Sequence, residues 1–75
     1  MTEGYKGRIG SIIRDARKHR GLTQQQLEAL SGVNQRNISK IECGKITDPL
    51  FSTGLNLADA LGIDPHILTF GEASR

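Results

Sequence analysis

Residues 22–45 read LTQQQLEALSGVNQRNISKIECGK, and the punctuation of that stretch leaves room for little except two short helices separated by a tight turn. Thr23 with Gln26 three residues on is a capping-box pattern, in which hydroxyl and amide reciprocally satisfy backbone N–H groups at a helix start. The spacing predicts a helix from about Gln24 through Leu27 to Ser31. It stops at Gly32, the residue type that most readily takes the left-handed conformation closing a helix. Asn34 is then placed to cap a second helix, with Ile38 and Ile41 on one face. The opposite face carries Gln35, Arg36, Asn37 and Lys40, all of which donate hydrogen bonds or carry positive charge.

The flanks extend this pattern into an all-α domain. Residues 1–7 contain two glycines and no periodicity, which predicts a flexible arm. From Arg8 onward Ile9, Ile12, Ile13 and Ala16 recur at helical spacing until Gly21. After Gly44 the segment KITDP reads as a loop. A further helix is expected from Leu50 or Phe51 to Leu61, with Phe51, Leu55, Ala58 and Leu61 lining one face. Gly54 in its interior costs ~1 kcal/mol relative to alanine, and Gly62 closes it. Asp64 as cap and Pro65 at the first helical position start a short fifth helix running to about Phe70. Residues 71–75 form a tail, so the expected domain spans residues 8–70. No alternation is long enough to make a strand.

At 75 residues such a domain buries only roughly 60% of the surface its unfolded chain exposes. No apolar run approaches the ~18 residues that cross a membrane, and the opening MTEGYKGRIG lacks the apolar core of a secretory signal. A cytoplasmic protein is expected. The single cysteine, Cys43, makes no intrachain disulfide. It reads as an exposed free thiol. His19 and His66 lie far apart with one cysteine between them, so no metal-ligand spacing exists and no cofactor is expected. No nucleophile–base pair or phosphate-cradling glycine motif is present, and the domain is too small for a substantial cleft, which argues against an enzyme.

Charge is what points to a partner. The formal net charge is +2, yet residues 6–45 hold nine of the ten basic groups against Asp15, Glu28 and Glu42, a balance of +6. From residue 46 onward the balance is −3. One basic side and one acidic side suit a molecule that turns a single face to a polyanion. A polar, donor-rich face on the second short helix is what a helix in the DNA major groove needs to touch base edges and phosphates. The two helices with their glycine turn read as a helix-turn-helix.

With these residues on the page, the chain resembles the phage lambda and 434 repressor family of helix-turn-helix regulators, also called XRE-like. The resemblance covers roughly residues 8–70. It rests on Arg17, Leu22-Thr23-Gln24, Leu27, Gly32-Val33, Ile38-Ser39, Ile41-Glu42, Gly44-Lys45, Pro49, Leu57-Ala58 and Ala60-Leu61-Gly62. It implies a five-helix bundle that binds double-stranded DNA as a homodimer across a pseudo-palindrome, with the third helix in the major groove.

Resemblance and chemistry together suggest roles. Gln24 matches the family's phosphate-binding glutamine, where a helix N-terminus and an amide both favour an anion. Gln35, first on the recognition helix, suits a bidentate pair with adenine. Arg36 pairs with guanine or falls back on a phosphate, and the residues leave both open. Asn37 and Lys40 lie further along the groove-facing side, while Asn34 and Lys45 look like backbone anchors. Arg17 and Glu42 match a structural ion pair of the family. Glu28 departs from the family's usual alanine. Either the contact between the two helices is loosened, or Glu28 reaches its edge and pairs with Arg36 or Lys40. Leu30 is expected as an exposed apolar group. Ile67, Leu68 and Phe70 are more apolar than one intrachain contact needs, which suggests a two-fold dimer interface. A repressor is the simplest reading. An antitoxin or restriction-modification controller autoregulating its operon would use the same residues, with a toxin or polymerase as possible protein partner. A helical protein-interaction module that has lost DNA binding is the alternative of a different class.

Overall fold

The computed structural model describes residues 8–64, and within them four helices follow one another with no strand: α1 (Arg8–His19), α2 (Gln24–Ser31), α3 (Gln35–Glu42) and α4 (Phe51–Leu61). The expected fifth helix from Pro65 to Phe70 lies outside the described residues, as do the dimer residues Ile67, Leu68 and Phe70 and the arm at 1–7.

Local chemistry sets the ends of the helices. The Thr23 hydroxyl accepts from the Gln26 amide at 3.0 Å, and the Gln26 side chain accepts from the Thr23 N–H at 2.8 Å, completing the capping box of α2. Gly32 ends the helix at φ +78°, its N–H donating to the Glu28 carbonyl at 2.8 Å. That left-handed residue turns the chain sharply, so that Val33 is buried one residue on. Asn34 then starts α3, its side-chain oxygen accepting from the Arg36 amide at 2.7 Å.

Periodicity supplies the core. Ile13 of α1, Leu27 of α2, Val33 of the turn, Ile38 and Ile41 of α3, and Leu57, Ala58 and Leu61 of α4 form one buried cluster. Helices α1 and α2 each pack on both α3 and α4. Each fully buried leucine or isoleucine is worth roughly 1.5–3 kcal/mol of transfer free energy. The pattern holds α3 by its Ile38–Ile41 side and leaves the other side open.

The inward face of α4 differs from expectation. Ala58 and Leu61 are buried, but with Gly54 and Leu57, whereas Phe51 is 58% exposed and Leu55 36%. The buried stripe runs 54, 57, 58, 61, a helical i, i+3, i+4, i+7 pattern. A glycine carries no apolar signal, so its place in that stripe is silent in the sequence. Gly10 is silent in the same way. It is buried in α1 where that helix crosses the end of α3, and a Cβ there would collide with the Ile41 carbonyl oxygen and stand 3.0 Å from that of Glu42.

Candidate nucleic-acid interface

The site is built on the exposed side of α3. Ile38 and Ile41 are locked in the core, so the successive 100° steps of the helix bring Gln35, Arg36, Ser39 and Lys40 outward on one face. Beyond the helix, Gly44 at φ +85° reverses the chain. The Lys45 amide donates back to the Lys40 carbonyl at 2.8 Å and the Gly44 amide to Ile41 at 3.2 Å, the paired bonds of a Schellman ending. That turn delivers Lys45 to the same side.

Together with α2 these residues enclose a groove of about 590 Å³ lined by Gln24, Glu28, Asn34, Gln35, Arg36, Ser39, Lys40 and Lys45. Six of the seven residues named from sequence as base or phosphate contacts therefore share one surface. Asn37 does not. It is exposed but sits roughly 100° further round the helix from Arg36, on the flank. Ser39 belongs to the groove and was missed, although its spacing of four from Gln35 and three from Arg36 carried the signal.

At the rim of the groove a charged network fixes the geometry. Arg17 Nε donates to Glu42 Oε2 at 2.8 Å and Nη2 to Oε1 at 2.9 Å, a bidentate fork. Its Nη1 donates to the Leu22 carbonyl at 2.8 Å. The two side chains are 11% and 5% exposed. The hydrogen bond to Glu42 holds the Arg17 pKa above that of a free guanidinium, burial opposes it, and the charge of Glu42 adds to the rise.

Glu42 also accepts from Gln24 Nε2 at 3.1 Å. One carboxylate at the end of α3 therefore holds α1 through Arg17 and the start of α2 through Gln24. This bond, invisible from sequence, orients the Gln24 amide and takes one of its two N–H groups. The capping box takes the Gln26 amide, and the Leu27 amide donates to the Thr23 carbonyl. The backbone N–H groups of Gln24 and Gln25 then stand at the helix end without an intrahelical acceptor.

Glu28 lies half-buried in the groove wall, one turn on from Gln24. It makes neither of the ion pairs foreseen for it: among the described residues its carboxylate has no salt bridge with Arg36 or Lys40. The groove carries three cations, Arg36, Lys40 and Lys45, against this one acid. Cys43 is exposed, its Sγ 3.6 Å from the Lys40 carbonyl. Leu30 is 61% exposed. Among the described residues no helix is long and apolar enough to cross a membrane, and no three His, Cys, Asp or Glu side chains gather.

A helix-turn-helix family model matches residues 13–68. The chain is similar to y4dJ of Sinorhizobium fredii, an uncharacterised HTH-type transcriptional regulator, at 40% identity over 55 residues covering 73% of this chain and 70% of that protein. It is also similar to y4mF of the same organism, another uncharacterised HTH-type transcriptional regulator, at 34% identity over 67 residues covering 89% and 87%. No solved structure gives a significant match. Arrangement, family match and relatives agree, and the chain belongs to the XRE-like helix-turn-helix family.

Proposed function

We propose that this chain is a sequence-specific DNA-binding transcriptional regulator, acting as a repressor on a pseudo-palindromic operator to which it binds as a homodimer. The observation that carries the reading is the groove, where the outward residues of α3 and the N-terminal end of α2 form one donor-rich, cationic surface. In this reading α3 enters the major groove. Gln35 and Arg36 meet base edges first, and Lys40 follows with Asn37 on the flank. Gln24 meets a phosphate with its other N–H and the open amides of Gln24 and Gln25. The Asn34 side-chain oxygen is committed to the cap of α3, which leaves its NH₂ group for the backbone, with Lys45 beside it. The names of y4dJ and y4mF as transcriptional regulators support the reading.

The test is selection of bound duplexes from random DNA, followed by sedimentation with and without the enriched site. A palindromic consensus with half-sites one helical turn apart, roughly 34–36 Å, and a two-to-one protein-to-site ratio are expected. Weak binding that ignores Gln35→Ala and Arg36→Ala would instead favour a protein-interaction module. A monomer at high micromolar concentration, on and off DNA, would remove the dimer.

A further inference from the structure

Glu28 is the one member of the groove whose chemistry opposes the rest. Its carboxylate is an acceptor set among donors, half-buried and without an ion pair or a side-chain hydrogen bond among the described residues. Facing the acceptor-rich edge and phosphates of DNA, such a group is repelled unless a donor meets it. The major groove offers carbon-bound amino groups at two places, N4 of cytosine and N6 of adenine, while guanine and thymine present oxygen acceptors at the corresponding positions.

We propose that Glu28 is a base-discriminating residue of the interface, accepting a hydrogen bond from the exocyclic amino group of cytosine or adenine at one operator position and repelling guanine and thymine there. The inference rests on the DNA-binding reading above. It adds a specificity element from α2 rather than from the recognition helix. The placement supports it: Glu28 stands one turn from Gln24, whose amide Glu42 fixes at the groove rim, and lines the same groove as Gln35, Ser39 and Lys40. Because the carboxylate carries no donor of its own, discrimination comes as much from rejection as from attraction.

The test compares duplexes selected by the wild-type chain, Glu28→Ala and Glu28→Gln, each checked for an unchanged thermal melt. It is followed by titration of the wild-type site carrying each of the four bases at the affected position. One position should favour cytosine or adenine about tenfold or more in the wild type and flatten in Glu28→Ala, while positions altered by Gln35→Ala or Arg36→Ala stay as they were. Glu28→Gln keeps the shape and adds a donor, so it should tolerate guanine there. Replacing adenine by purine, or cytosine by 2-pyrimidinone, deletes the amino group and should weaken the wild type but not Glu28→Ala. Identical consensus sequences for wild type and Glu28→Ala, with the variant merely tighter on all DNA, would overturn the proposal and leave the DNA-binding reading standing. No enrichment by the wild type would overturn both.

Discussion

At Arg17 three donors are fixed at once, two by Glu42 and one by the Leu22 carbonyl. Replacing it with methionine leaves Glu42 nearly buried without its countercharge, and a loss of roughly 3 kcal/mol in urea unfolding is expected. Arg17→Lys should recover little of it, because an ammonium lacks the planar fork. The pH sign follows from the raised pKa. A cation whose folded pKa exceeds its unfolded one contributes fully below the unfolded value and loses that contribution only in strong base, as the pH rises through the folded pKa. The stability gap between wild type and Arg17→Met should therefore stay constant from pH 7 to pH 10. Gly10 is the second residue on which the frame depends. Gly10→Ala drives a methyl into the Ile41 carbonyl, and because backbone rather than a flexible side chain must move, a loss of about 1–3 kcal/mol is expected despite alanine's better helix propensity.

Among the elements, α2 and α3 show what a sequence can announce. Thr23, Gln26, Gly32 and Asn34 act on neighbours within four residues, so their roles are legible without knowing the fold. Thr23→Ala should remove about 1 kcal/mol of stability. Gln35→Ala and Arg36→Ala, at exposed positions, should leave the melt unchanged, while under the proposed binding mode each costs about 1–3 kcal/mol at the base it would contact. The inward face of α4 was not legible. Gly54 is buried on the side that turns inward, yet with no side chain it leaves no apolar mark there in the sequence. Phe51 and Leu55, the stronger hydrophobic signals, lie at the edge instead. The Gln24–Glu42 bond spans eighteen residues, and nothing local to either residue encodes it.

For the whole molecule the decisive quantity is where its charge sits. A net +2 is unremarkable, but Arg36, Lys40 and Lys45 on one groove are not diluted by the acids after residue 46. If these three cations and the α2 terminus meet phosphates, log affinity should fall linearly with log salt. Each neutralised phosphate contributes a slope of about −0.9, and Lys45→Ala should reduce the slope by about one. The groove's polar set was legible because charge and helical phase are written in the chain, and the Arg17–Glu42 pair was expected from the resemblance, whereas the link from Gln24 to the same carboxylate was not. Glu42 thereby ties the end of α3 to two other helices while Asn34 caps its start. A helix tied at its end by Glu42 and seated along its length by Ile38 and Ile41 has little freedom to adapt, so under the proposed function the duplex would be the softer body in the encounter. Operators should then be ranked by how readily they bend and twist to fit, and preferences should extend to base pairs that no side chain touches.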